Sequence, residues 1–489
     1  MQNSKKGAFT ARSAPGLSCC SKRETRSNPS YLIILQSTLR VLFVLAHLVP
    51  GMFGTSGIRG PVGEEVTAAL ALSVGRALGV ETDRVVVGRD PRESGETLQD
   101  ALTAGLRESG TDVVDLGVAA TPTIARSVAW ENADAGVAIT ASHNPPEDNG
   151  IKLWQPSGQA FDEPRRERIT ARIENEEIDL ASWDEFGSKT TADHTSSHRE
   201  TLVDAVEIEK PLSVVVDVGN GSGGVTAEAL DELGCDVETL NAQEDGSFPG
   251  RPSEPTADNC QSLAALVGST DADLGIAHDG DADRMRAATA DGEFLSGDVI
   301  LALLGREAAS AGEQVAVPVD TSLAVEDHLA EADIETTRTP VGDVYVAEAA
   351  SESGVAFGGE PSGAWIWPEE TLCPDGPLAA CKLAALASQI PLADRQAAVK
   401  QYPIRRDSVE VDDKAAVMAA ISDRVESEYD DVSTLDGIRV DLAAGWFLLR
   451  ASGTQPLVRV TAEARTEDEL AETYERAKGL LTEARATVE

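Results

Sequence analysis

Positive charge is what this sequence has least of. Its 489 residues hold 41 Lys and Arg against 83 Asp and Glu, a formal charge of −42, and lysine is the rarer base, 10 against 31 arginines. Such a surface repels phosphate backbones and anionic membranes. That excludes general nucleic-acid affinity and requires a local basic pocket for any anionic substrate. Self-repulsion on this scale is tolerable where salt screens it, the Debye length being about 3 Å at 1 M. A halophilic, salt-rich cytoplasm is the expected setting, an acidic protein of ordinary cytosol the alternative. Cysteine is also scarce, 6 in all. Cys235, Cys260, Cys373 and Cys381 form no CxxC and no Cys/His cluster, which argues against a zinc site or a disulfide framework and for reduced, buried residues of a cytoplasmic protein. Long apolar runs are lacking as well. The stretch from Tyr31 to Pro50 is broken by Gln36, Ser37, Thr38, Arg40 and His47, whereas a membrane span needs about 20 mostly apolar residues.

That stretch belongs to a segment unlike the remainder. Residues 1–51 carry Lys5, Lys6, Arg12, Lys22, Arg23, Arg26 and Arg40 against Glu24 alone. An export signal, a membrane anchor and an extension upstream of a working start at Met52 compete. With Arg40 inside the apolar run and no small-x-small cleavage site after it, the extension is favoured.

With 42% hydrophobic and 25% charged residues, the chain has ordinary globular composition, and at roughly 150 residues per domain its length suggests about three domains. From Met52 the pattern is strand, glycine-rich turn, helix, strand: a helix over Thr67–Gly79, a strand at Arg84–Val87, another at Ala135–Thr140, a second round from Leu212 to Leu240 and a third from Gln314 to Thr337. These are βαβ units, implying largely parallel sheets covered by helices. After Gln401–Pro403 the order changes to a smaller α+β unit. The expected division is 52–190, 191–294, 295–402 and 403–489, preceded by the extension 1–51.

Chemistry concentrates in five segments. Asp279-Gly280-Asp281-Ala282-Asp283-Arg284 follows an apolar strand, and alternate residues of an extended loop can point three carboxylates at one hard divalent ion. An EF-hand is excluded, because its loop positions 6 and 12 fall on Arg284 and Ala290. Thr140-Ala141-Ser142-His143-Asn144-Pro145-Pro146 places a serine at a strand-to-loop corner with His143 and Lys152 nearby, although an Asn-Pro turn alone also accounts for the loop. Arg450-Ala451-Ser452-Gly453-Thr454-Gln455-Pro456 has the parts of an anion nest, which a plain hairpin would not need. The loops Gly358–Gly363, with Glu360 and Ser362, and Phe53–Gly60, with Arg59, complete the set; a carboxylate and a hydroxyl on a rigid loop suit paired sugar hydroxyls.

Taken together and in this order, from Met52 to the end, these segments resemble the α-D-phosphohexomutase superfamily of phosphoglucomutases, phosphomannomutases and phosphoglucosamine mutases. The resemblance implies four domains around a central cleft, three of mixed α/β type and a smaller C-terminal α+β domain. It implies that Ser142 carries the phosphoryl group and that Asp279, Asp281 and Asp283, with the oxygen of Ser142, hold Mg²⁺. Arg59, His143 and Lys152 would line the serine, Lys152 as the proton-transfer group, with Arg284 facing it. Glu360 and Ser362 would grip sugar hydroxyls, and Arg450, Ser452, Gly453 and Thr454 the non-reacting phosphate. The expected substrate is a sugar phosphate, glucosamine phosphate ahead of mannose or glucose phosphate or a pentose phosphate, with a hexose 1,6-bisphosphate as activator. A phosphatase and a non-catalytic sugar-phosphate binding paralogue are the readings from other classes. The chain is expected to act as a monomer or homodimer, without nucleic acid or membrane. Two departures stand out: Ala364 where many members have histidine, and Gln455 where glutamate is common.

Overall fold

The computed structural model describes residues 52–54, 57–452 and 456–488. The expected extension 1–51 and the clamp residues Gly453 and Thr454 lie outside the described residues. The first sheet holds six strands: β1 (Ile58–Pro61), β2 (Arg84–Arg89), β3 (Asp112–Val118), β4 (Ala135–Ile139), β5 (Asp148–Trp154) and β6 (Lys189–Thr191), in the order β1-β5-β4-β2-β3-β6. Strands β4, β2, β3 and β6 run parallel, whereas β5 returns antiparallel beside β4 and β1 beside β5. β4 is buried at every position, as a strand covered on both faces must be.

The second sheet holds β7 (Ser213–Asp217), β8 (Asp236–Leu240), β9 (Leu274–His278) and β10 (Met285–Thr289) in the order β10-β9-β7-β8; the third holds β11 (Gln314–Pro318), β12 (Glu335–Thr339), β13 (Val355–Glu360) and β14 (Ala364–Ile366) in the order β12-β11-β13-β14. Both are parallel except for one antiparallel edge, β10 or β14. Each of the three sheets therefore departs from the parallel pattern at a hairpin, and a tight hairpin can only join antiparallel strands. The hairpins β4–β5 and β9–β10 carry the serine and aspartate segments.

The last unit is fully antiparallel: β15 (Ile404–Glu410), β16 (Val432–Ser433), β17 (Ile438–Asp441), β18 (Gly445–Ala451) and β19 (Leu457–Ala464), ordered β15-β19-β18-β17-β16 and covered by helices Lys414–Glu428 and Glu467–Val488. The architecture is that expected: three mixed α/β units and a small α+β unit. The second and third share one apolar core, running from Val214 and Leu274 through Val317 and Trp365 to Leu383, while the first and the last have cores of their own. Aspartate and sugar segments thus ride on one body, and the serine segment and the clamp are brought to it. The join with the first unit includes Asp375, which caps helix Gly376–Gln389 and also binds Arg126 at 2.8 Å and His198 at 3.2 Å. Among the described residues no helix is long and apolar enough to cross a membrane.

Candidate active site

β4 ends at Ile139 and the chain turns sharply. Thr140 Oγ1 accepts from the Ser142 amide at 2.8 Å and donates to Asp90 at 2.7 Å. Ser142 itself adopts φ +52°, a left-handed conformation that costs a β-substituted residue about 1–2 kcal/mol and persists only where its surroundings enforce it. Here they do. The Ser142 carbonyl accepts from Arg92 and from Ser253, both at 2.8 Å, and the hydroxyl is driven into the interior, where it donates to Asp279 Oδ2 at 2.6 Å. His143 Nδ1 and Asp283 Oδ1 each lie 3.4 Å from it.

Arg92 organises this corner. Wholly buried and paired with Asp90 at 2.9 Å, it donates to the carbonyls of Ser142, Asn144 at 2.7 Å, Asp148 at 2.9 Å and Pro145. A planar fork with five donors can do this and an ammonium cannot. Arg92→Lys is therefore expected to lower kcat about 10–100-fold with KM nearly unchanged, because the loop loses its template while the substrate contacts stay; steady-state kinetics with both constants resolved checks it.

The aspartates sit on the turn between β9 and β10, which is tight rather than extended as expected. Ala282 takes φ +58°, and Gly280 passes so close to the serine loop that a Cβ there would come within 3.0 Å of the Ser142 carbonyl oxygen. This curl brings Asp279, Asp281 and Asp283, all buried, within 4.8 Å of one another. Asp281 Oδ1 is buried without a hydrogen-bond partner. A buried orphan oxygen in a ring of three carboxylates is what a hard divalent cation requires, so the residues fit one. Burial, then the charges of Asp283 and Asp281, pushes the Asp279 carboxyl well up. Burial works the same way on Asp281, but Lys152 and the Thr121 hydroxyl outweigh it and hold that carboxyl below the usual range.

Lys152 reaches this ring from β5, not from a loop, and binds Asp281 at 2.9 Å as well as Asp283. Burial alone would discharge it; the two carboxylates keep it an ammonium with a raised pKa. His143 goes the other way. Desolvation, reinforced by Arg284, Arg59 and Lys152, depresses its pKa to about 2, so it is a neutral imidazole rather than a cation for the serine.

Arg284 closes the turn, its amide donating to Asp279 Oδ1 at 3.1 Å, and its backbone bridges to Ala364. The sugar segment is thereby stitched to the aspartate segment. Arg59, Asp283, Arg284, Asp343, Glu360 and Ser362 line one cavity of about 70 Å³, with Ala364 on its wall. Arg59 lies on β1 and Glu360 at the end of β13, both expected on loops. Gly342, at φ +135°, turns the chain so that Asp343 opens helix Asp343–Ala350 facing the cavity. Burial, then the Asp343 carboxylate, raises the Glu360 pKa to about 7 despite Arg284. Its folded-state value exceeds the unfolded one, so the group favours the folded state less as pH rises from about 4.5 to 7. Glu360→Gln should stabilise the ligand-free protein by roughly 3 kcal/mol at pH 8 and scarcely at pH 4, read from thermal unfolding at both pH values.

The clamp stands apart. Arg450 on β18 lies opposite Arg459 on β19, and with Asp320, Arg406, Ser408 and Thr461 they line a second cavity of about 530 Å³. Arg450 pairs with Asp436 at 3.0 Å, and Ser452 is buried. The structure thus collects Ser142, His143, Lys152, Arg59, Arg284, Glu360, Ser362 and the three aspartates on one side and Arg450 on the other. Sequence reasoning missed Arg92, Ser253 and Thr121. Thr121 binds Asp281 through both its amide, at 2.8 Å to the carbonyl, and its hydroxyl, at 2.6 Å to the carboxylate. The Thr-Pro at a helix start was the available signal for Thr121; for Ser253 there was none.

Comparison with known proteins covers all four units. Family models described as phosphoglucomutase/phosphomannomutase alpha/beta/alpha domains I, II and III match residues 50–179, 193–292 and 296–402, and the C-terminal domain of the same series matches 408–478. The chain is 47% identical over 429 residues to a probable phosphoglucosamine mutase of Methanopyrus kandleri, covering 85% of this chain and 94% of that one. It is 44% identical to a probable phosphoglucosamine mutase of Methanosarcina acetivorans, covering 88% and 99%. Among solved structures it superposes on a phosphoglucomutase/phosphomannomutase family protein of Burkholderia thailandensis with TM-score 0.81 at 29% identity, covering 88% of this chain and 97% of that one.

Proposed function

We propose, from the premise that this chain belongs to the phosphoglucomutase/phosphomannomutase family and is an isomerase of the phosphohexomutase kind, that it is a phosphoglucosamine mutase. It would move a phosphoryl group between O6 and O1 of glucosamine phosphate through phosphorylated Ser142 and a hexose 1,6-bisphosphate. The observation that carries this reading is the buried Ser142 hydroxyl, 2.6 Å from Asp279, in a pocket where a carboxylate ring and the cations Lys152, Arg284 and Arg59 meet the cavity of Glu360 and Ser362. The choice of amino sugar rests on the two relatives named for it.

A phosphoryl group on Ser142 brings a charge of about −2, which beside three aspartates needs balancing. Asp279, Asp281 and Asp283 would hold Mg²⁺, which when bound supplies charge stabilisation for the transferring oxygens. Arg284, Arg59 and Lys152, whose charges also act on His143 beside the serine, would add positive charge there. Held as an ammonium, Lys152 donates a proton; it accepts one only when Asp281 and Asp283 release it. Neutral His143 contributes a hydrogen bond. Glu360 and Ser362 hold sugar hydroxyls, and the non-reacting phosphate rests at Arg450 with Ser452, Gly453 and Thr454. The bisphosphate then turns end over end, so one clamp serves both phosphates. Ala364 leaves the sugar contact to Glu360 and Ser362.

A panel of hexose and pentose phosphates, with catalytic glucose 1,6-bisphosphate and phosphopeptide mapping, tests the reading. Isomerisation of glucosamine phosphate with phosphate on Ser142 is expected. Preference for mannose or glucose phosphate makes it a phosphomannomutase/phosphoglucomutase, release of inorganic phosphate a phosphatase, and binding without turnover a non-catalytic paralogue.

A further inference from the structure

β8 is joined to helix Gln261–Val267 by residues 241–260, a connection without helix or strand. Loops longer than about 12–15 residues without structure of their own are uncommon in compact domains, and many are functional. This one is rooted in the second unit. Arg251, buried, pairs with Asp217 at the end of β7 at 2.6 Å and donates to the carbonyls of Pro252 at 3.1 Å and Ser253 at 3.3 Å. Its Nη2 donates to the carbonyl of His278 at 2.6 Å, the residue before Asp279. As Arg92 templates the serine loop, Arg251 templates this one and ties it to the strand that delivers the aspartates.

From that root the loop crosses to the first unit. At Gly246 it passes so near Pro91 and Arg92 that a Cβ would lie 2.4 Å from the Pro91 carbonyl oxygen and the Arg92 Cα. Phe248 then adopts φ +48°, a region that a bulky side chain occupies only where its surroundings enforce it. Its buried ring lies under the Arg92 guanidinium, which stands 4.9 Å from the ring centre. The cation that shapes the serine loop thus rests on a side chain of the second unit.

Ser253 completes the crossing. A serine hydroxyl has one proton to give and lone pairs to accept with. This one donates to the Ser142 carbonyl at 2.8 Å and accepts from the Gly280 amide at 3.0 Å, and Gly280 stands between Asp279 and Asp281. One oxygen atom therefore joins the backbone of the serine corner to that of the aspartate turn. A Cβ added at Gly280 would lie 2.8 Å from the Ser253 hydroxyl, 3.0 Å from the Ser142 carbonyl oxygen and 3.1 Å from the Phe248 ring, so the three converge on that glycine.

We infer that the segment 241–253 is a clasp that sets the spacing between the Ser142 hydroxyl and the aspartate ring, with Ser253 and Phe248 as positioning residues for phosphoryl transfer. Neither lines the cavity of Glu360 or that of Arg450; they act on the alignment of the reacting oxygen and not on capture of the sugar. A misplacement of about 1 Å in such an alignment corresponds to about 100-fold in rate. The inference deepens the mutase reading and rests on it.

The test follows the transfer step by itself. Wild type, Ser253→Ala and Val267→Ala, which truncates a core side chain of the same unit, are charged on Ser142 with glucose 1,6-bisphosphate, checked by mass and freed of excess. Each is mixed by rapid quench with glucosamine 1-phosphate or, where the substrate panel prefers another, that hexose 1-phosphate, over a range of concentrations. Ser253→Ala is expected to slow transfer at saturation about 10–100-fold while the half-saturating concentration changes less than about threefold. Val267→Ala, destabilised but with the clasp intact, should slow transfer less than about threefold. Folded Ser253→Ala that takes up no phosphate counts with the expected loss, since uptake is the same step in reverse. Slowing of less than about tenfold, a change confined to half-saturation, or equal slowing in Val267→Ala overturns the inference. Should Ser253→Ala fail to fold, Phe248→Leu decides in the same assay: it keeps an apolar side chain without the ring face under Arg92, and transfer at saturation should slow at least about threefold, a smaller change overturning the inference. Absence of phosphate on wild-type Ser142 overturns the mutase reading and this inference with it, whereas phosphorylated, transferring wild type beside an unimpaired Ser253→Ala overturns this inference alone.

Discussion

Ser142→Ala should reduce isomerisation by a factor of about 10⁴ or more, with no phosphoryl adduct found on the peptide that spans the corner. The Ser142 hydroxyl is held against the aspartate ring, donating to Asp279 at 2.6 Å, while the Thr121 hydroxyl is engaged by Asp281. The neighbouring side chains offer no substitute. His143 is kept neutral by burial and three cations, and Lys152 is locked as an ammonium between two carboxylates. Loss of a covalent relay removes the low-barrier route entirely rather than weakening one contact. The fold should tolerate the change, because alanine loses one hydrogen bond while Arg92 and Ser253 still hold the carbonyl, so unfolding should shift by no more than about 2 kcal/mol. Measured phosphate transfer at a tenth of the wild-type rate in folded Ser142→Ala protein would refute the relay.

Asp281→Asn should have the second largest effect, a loss of about 10³-fold or more in turnover together with weakened binding of Mg²⁺. Of the three aspartates this one is bound most firmly: Thr121 and Lys152 occupy Oδ2, leaving Oδ1 buried without a hydrogen-bond partner. An amide there replaces a charged ligand by a neutral one, which a hard cation tolerates poorly, and removes one of the two charges that keep Lys152 protonated. Sugar-phosphate capture should change less than about threefold, since Arg450 lines a separate cavity. Metal titration, calorimetry with sugar phosphate and turnover, measured on one preparation, separate these effects; undiminished rates at unchanged Mg²⁺ dependence would refute the metal assignment.

Much of this site was legible before any fold was known, and its legible parts are of one kind. Ser142, the three aspartates, Arg284, Glu360, Ser362 and Arg450 each sit in a short segment whose composition is odd by itself: three carboxylates in five residues, a serine at a strand end, an arginine with hydroxyls and glycine. Such clustering survives in one dimension because a hairpin turn delivers neighbouring residues to one point. The apolar strands and the change of pattern after residue 403 were legible for a similar reason, since burial on both faces of a sheet leaves a continuous apolar run.

What tertiary structure decided is the pairing. Arg92 looked like one of 31 arginines until the β4–β5 hairpin laid four of its carbonyls around that guanidinium. Lys152, expected as the proton-transfer group, is an ammonium held between two carboxylates, because Asp281 and Asp283 come to it from another unit. Asp343 and Asp320, two of 83 acids, are brought to the cavities of Arg284 and Arg450 only by the closed chain. A local motif depends on backbone geometry within a few residues, which the sequence itself encodes. The charge state and use of a side chain depend on which distant groups are packed beside it in low dielectric, and that is settled only when the chain has closed on itself.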